Sequence, residues 1–169
     1  MAQNTYGSSA GTRSASTRGD VRTRTPAQIA SLVVGIAFLV VGAAGFIPGI
    51  TEHVGDMTFA GHESDAKLLG VFEVSVLHNI VHVLFGIVGI AAAARHSASR
   101  TYLIGGGIVY LALWVYGLIV DHESDANFVP VNDADNWLHL GLGAGMIVLG
   151  LALARDPRRD DRSPTYQVR

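Results

Sequence analysis

SVLHNIVHVLFG, residues 75–86, lies inside an apolar run that extends over 69–94. A run of that length can cross a membrane as a helix, which needs about 20 apolar residues. Yet this one carries His78, Asn79 and His82. The two histidines are four apart, so on a helix they share a face, with Asn79 at its side. At a rise of about 1.5 Å per residue, His82 would sit about 10 Å inside a helix that begins at Ser75. A polar side chain at that depth faces the bundle interior and needs a partner, because lipid offers none.

Three further runs, 28–47, 102–120 and 136–154, have similar length and composition. Glu73 is the only charged residue within any of the four. They are apolar all round, without the polar stripe that a helix of a soluble bundle presents to water. The chain as a whole is 49% hydrophobic and 15% charged, with a mean hydropathy of +0.34. That is too apolar for an ordinary soluble domain of 169 residues. Its 12 basic residues are sorted by side. Arg13, Arg18, Arg22 and Arg24 precede the first run, Arg95 and Arg100 separate the second from the third, and Arg155, Arg158, Arg159 and Arg162 follow the fourth. Lys67 alone lies in a loop on the other side. Such sorting predicts that both termini and the middle loop are cytoplasmic, in a multi-pass protein of the cytoplasmic (inner) membrane.

The second half repeats the first. GIAFL at 35–39 matches GIVYL at 107–111, with Gly45 matching Gly117. HESDA occurs unchanged at 62–66 and 122–126, and NIVHVLFG at 79–86 matches NWLHLGLG at 136–143. The offsets of 72, 60 and 57 residues agree if the first outer loop carries the extra length. The expected fold is therefore all-α: an integral membrane four-helix bundle made of two parallel, same-orientation helix hairpins. The run 28–47 follows arginines and contains Gly42, Ala43 and Ala44, as a cleaved signal would, but its likeness to 102–120 reads it as a retained helix. Domain organisation follows: a disordered tail at 1–25 rich in Arg, Ser and Thr, a four-helix domain at 26–155, and a disordered tail at 156–169.

By the repeat, Asn136 and His139 reach the depth of Asn79 and His82. The candidate site is thus the buried polar cluster His78, Asn79, His82, Asn136 and His139, with Glu73, Asn132, Asp133 and Asp135 toward the outer surface. Asn132, Asp133 and Asp135 are placed to cap the fourth helix and complement its dipole. In the leading reading the cluster is a hydrogen-bond network between helices two and four, each bond contributing about 0.6 kcal/mol. The alternative makes His78, His82 and His139 ligands of a haem or a transition metal, since imidazole is a common ligand and four-helix bundles hold cofactors. A third, a proton or solute path, finds only FIPGI, where Pro48 and Gly49 more simply end the first helix. The repeated HESDA contains cation-ligand residue types and also suits a solvated acidic loop. Gly141 and Gly145 form a G-x-x-x-G suited either to packing inside the monomer or to self-association.

The absence of Cys excludes disulfides and thiolate chemistry. No catalytic triad, phosphate loop or nucleotide fingerprint is present, and the arginines lie where topology places them, so neither an enzyme nor a nucleic-acid binder is expected. The expected partners are the lipid bilayer and other membrane proteins or a second copy.

GFIPGI, FEVSVLHNIVHVLFGIVGI and PVNDADNWLHLGLGAGMIVLGL resemble the bacterial, largely actinobacterial, four-helix membrane proteins of the DUF4383 domain family. The resemblance runs from about Thr25 to Ala154 and rests most on HN-x-x-H and N-x-x-DNWLH. The matching residues are His78, Asn79, His82, Asn132, Asp135, Asn136, Trp137 and His139. The resemblance implies the architecture and the polar cluster, and no activity.

Overall fold

The computed structural model describes residues 23–61, 63–122, 124 and 126–156. The expected disordered tails therefore lie almost wholly outside the described residues. Four helices form: α1 (Pro26–Ala44), α2 (Val76–Ala92), α3 (His96–Ile119) and α4 (Asp133–Ala152). Local sequence explains three of the starts. Pro26 begins α1, where its missing N–H costs nothing, and Thr25 and Gln28 close a capping box. Ser75 Oγ accepts the His78 N–H at 3.2 Å to cap α2. Asn132 and Asp135 form a second capping box on α4.

Helix bounds differ from the sequence expectation most at α2, which begins at Val76 and not at 69. Residues just before it belong to a small antiparallel sheet of β1 (Thr51–Glu52), β2 (Lys67–Leu68) and β3 (Phe72–Glu73), ordered β1-β2-β3. Leu69 and Gly70 turn between β2 and β3 with φ of 55° and 70°. That left-handed turn is incompatible with a helix. The all-α expectation is corrected accordingly, to a mostly helical molecule with one small sheet. In the other direction, α3 starts at His96, six residues before the expected 102, because HSASR contains no helix breaker.

The dominant packing is α1 along α2 and α3 along α4; α1 also meets α3, whereas α2 and α4 are not a major pair. Glycines allow these approaches. A Cβ on Gly35 would stand 2.9 Å from the Gly86 carbonyl oxygen, and one on Gly107 2.7 Å from that of Gly143. Phe38, Tyr102, Leu103, Tyr110 and Met146 form the buried centre, and Ala66, Leu68 and Val74 a smaller core beneath the sheet.

The two ends of the bundle are closed by hydrogen bonds. At one end Gln28 Nε2 donates to the Ala93 carbonyl, Arg100 Nε to that of Gly150, and His96 contacts both Thr25 Oγ1 and the Ala154 carbonyl. At the other, Gly61 N donates to the Phe128 carbonyl and Asn132 Nδ2 to that of Val71, joining the two long loops. Between the ends, the outward faces of all four helices expose large apolar side chains, among them Val33, Val40, Leu84, Val88, Ile108, Leu118, Trp137 and Val148. By length and composition, α1 and α3 are each able to cross a membrane, and α2 is a shorter apolar helix.

Candidate functional site

His78, Asn79, Asn136 and His139 are buried, and His82 is half-buried. They do not form one network. His78 Nε2 and His82 Nε2 face each other at 3.1 Å on α2. Two lone pairs or two N–H groups would repel at that distance, so one ring donates and the other accepts. His82 Nε2 also lies 3.3 Å from the Tyr110 hydroxyl on α3. Tyr110 in turn meets the His139 ring of α4 edge-on, with centroids 5.4 Å apart. The cluster thus runs from α2 through α3 to α4, and Tyr110 is the member that joins them.

This corrects the expected direct network between helices two and four. Among the described residues no side-chain hydrogen bond joins α2 to α4. Each asparagine faces its own hairpin partner. Asn79 fills the space beside Gly45, where a Cβ would strike its side chain, and Asn136 does the same beside Gly117. Asn79 Nδ2 also donates to Met57 Sδ at 3.6 Å. Asn136 Oδ1 is buried with no hydrogen-bond partner.

Tyr110 does not stand out in an apolar run, where aromatic residues are ordinary; its equivalent, 72 residues earlier, is Phe38. Phe38 meets the His82 ring at 5.4 Å, edge-on, as Tyr110 meets His139. Phe38 and Tyr110 touch each other at 5.2 Å. Only the hydroxyl distinguishes the two. A tyrosine standing where the other half has phenylalanine, at the depth of a histidine, was the available signal.

The outer residues divide. Asn132 caps α4 as expected, and Asp133 is exposed in its first turn. Asp135 is not a surface residue: it is 2% exposed, and its Oδ2 accepts from both Asn132 N and Glu73 N at 3.1 Å. It therefore fixes β3 to the start of α4, with Glu73 contributing its backbone.

A cavity of about 260 Å³ opens on the cluster between α2, α3 and α4. Its lining includes the buried or half-buried His78, His82, Tyr110 and His139 and the exposed Val81, Val109 and Phe128. His139 Nδ1 is buried without a hydrogen-bond partner, whereas the His78 ring has the Pro130 backbone carbonyl beside it as an acceptor. Among the described residues, no three His, Asp or Glu side chains converge as a metal ligand set. The ligand reading of His78, His82 and His139 therefore has no such converging set behind it, and Tyr110 contacts both His82 and His139. Of the HESDA copies, His62, Glu123 and Asp125 lie outside the described residues. Ser64 is buried on the Val74 carbonyl, whereas Ser124 bonds the Asp121 carbonyl, so the two copies are used differently.

Residues 28–152 match the family described as Domain of unknown function (DUF4383), and the chain belongs to that family. No curated protein and no solved structure matches the chain.

Proposed function

We propose that this DUF4383 protein is a multi-pass component of the cytoplasmic membrane, with both ends in the cytoplasm, acting as a structural or partner-binding element. The observation that carries the reading is the distribution of side chains. Large apolar groups are exposed around all four helices, and histidine, asparagine, serine and glycine share the interior with Phe38, Tyr102, Leu103, Tyr110 and Met146. A soluble bundle turns polar faces to water, and soluble monomers rarely expose apolar patches beyond a few hundred Å². Helices of 19, 17, 24 and 20 residues extend about 26 to 36 Å, against a hydrocarbon core of about 30 Å.

The interior suits lipid surroundings. Lipid tails are as apolar as Leu, so helices associate through close packing and interhelical hydrogen bonds. The Gly35–Gly86 and Gly107–Gly143 approaches supply the first and the His82–Tyr110 contact the second. The same pairs support two parallel hairpin repeats. Gly35 and Gly86 correspond in sequence to Gly107 and Gly143, Phe38 and His82 to Tyr110 and His139, and the caps Ser75 and Asn132 to each other. In this reading the His–Tyr cluster holds one hairpin to the other.

Membrane fractionation tests the placement. The protein is expected to stay with membranes through alkaline carbonate and to be released only by detergent. Release by carbonate would reject it.

A further inference from the structure

We infer that the cavity between α2, α3 and α4 takes one hydrocarbon chain of a phospholipid from the leaflet on the sheet side of the bundle. The inference rests on the membrane-embedded reading above, which brings such chains to the cavity's opening.

The histidines do not make this cavity polar. His78 Nε2 and His82 Nε2 face each other at 3.1 Å, His82 Nε2 also meets the Tyr110 hydroxyl at 3.3 Å, and the His78 ring has the Pro130 backbone beside it. His139 Nδ1 is enclosed by protein. The polar atoms are thus turned to one another or covered, and the surface of the cavity is almost entirely carbon. No Lys, Arg, Asp or Glu lines it.

Such walls select their occupant by exclusion. A charged or hydrogen-bonding group would give up its partners on entering. Water needs polar neighbours to stay in a cavity, and apolar ones remain dry. Left empty, the walls would lose dispersion contacts on one side. A hydrocarbon chain restores those contacts and needs no hydrogen bond.

Placement and size point to a lipid chain. The lining follows α2 from its cap Ser75 to His82, a distance of about 10 Å along the helix. Phe128 and Val129 line it too, and the Phe128 carbonyl accepts from Gly61 N where the two long loops meet, so the cavity begins near the sheet end. From there it descends beside the helix, in the direction in which the chains of a bilayer lie. Val81 on α2 and Val109 on α3 both line it and are 48% and 51% exposed, so it opens sideways between the outward faces of the two helices. At about 260 Å³ it is slightly smaller than pockets that enclose whole drug-sized molecules, which start near ~300 Å³. It therefore holds part of one chain and leaves the rest of the lipid outside.

The experiment uses the full chain in lipid nanodiscs, with its Leu and Val methyl groups labelled with ¹³C. The probe is a phosphatidylcholine with a nitroxide spin label midway along one chain, which speeds the relaxation of methyl groups near it. Leu77 and Leu113, half-buried in the cavity wall, are expected to relax as fast as the exposed Leu84 and Leu118. Val34 and Leu142, half-buried against the core, are expected to relax more slowly. Leu113→Trp, whose larger ring has the cavity itself to occupy, is expected to slow Leu77 to the rate of Leu142 and to leave Leu84 unchanged. Leu77 and Leu113 relaxing no faster than Leu142 in the native chain overturns the inference, and so does fast relaxation of Leu77 that survives Leu113→Trp. Slow relaxation of Val81 and Val109 beside a fast Leu84 would put a protein surface, such as a second copy, over the opening and equally overturn it. Slow relaxation of Leu84 and Leu118 as well refutes the membrane placement, and the inference with it.

Discussion

Tyr110 is the residue on which the candidate site turns. Its hydroxyl reaches His82 Nε2, and its ring packs on Phe38, Phe85 and His139. The two contributions separate by mutation. Tyr110→Phe keeps the ring contacts and removes one hydrogen bond, so the expected loss is about 1 kcal/mol. Tyr110→Ala also opens a cavity, and its expected loss is about 3–5 kcal/mol. Thermal unfolding of both variants in one detergent checks the ordering; a Phe variant as unstable as Ala would mean that the hydroxyl carries the whole effect. The histidines were legible in the sequence because a polar residue in a long apolar run stands out. Tyr110 was not, because aromatic residues are ordinary in such runs and the contact depends on how α3 lies between α2 and α4. In the sequence Asp135 looks like a surface cap for a related reason. Its acceptance from Asn132 N followed from spacing, but its second bond, to Glu73 N, comes from a segment 62 residues away.

At the scale of the elements, small residues decide how closely the helices approach. Asn136 fills the space beside Gly117, whereas Gly141 and Gly145 of α4 have open space where a Cβ would stand. The G-x-x-x-G of α4 is thus not used for packing inside the described molecule. Gly117→Ala is expected to destabilise by about 1–3 kcal/mol through overpacking. Gly141→Ala is expected to be neutral, or stabilising by up to about 1 kcal/mol, since alanine is the better helix former. Denaturation of the two variants side by side measures this, and equal effects would contradict the packing described. Four helices were readable from apolar length, and the caps at Ser75 and Asn132 mark the starts of α2 and α4. The sheet was not readable. Its strands are two residues long and lie within a loop, too short for any alternation of apolar and polar residues to show. The left-handed turn at Leu69 and Gly70 left no signal beyond the glycine itself.

For the whole molecule, the charges and the apolar faces agree. Arg24, Arg95, Arg100 and Arg155 belong to the end where α1 starts, α2 turns into α3 and α4 finishes, while Lys67, Glu52 and Asp133 belong to the end with the sheet. Because the chain has no Cys, single cysteines can be introduced without background. The proposed placement, a bundle that spans the membrane with its arginine end inside, is tested directly by one labelling measurement. Ser97→Cys, in the first turn of α3, and Asp133→Cys, in the exposed first turn of α4, are treated in spheroplasts with a membrane-impermeant maleimide. Asp133→Cys is expected to be labelled at once, and Ser97→Cys only after the membrane is permeabilised. Labelling of both without permeabilisation, or the reverse order, would contradict it.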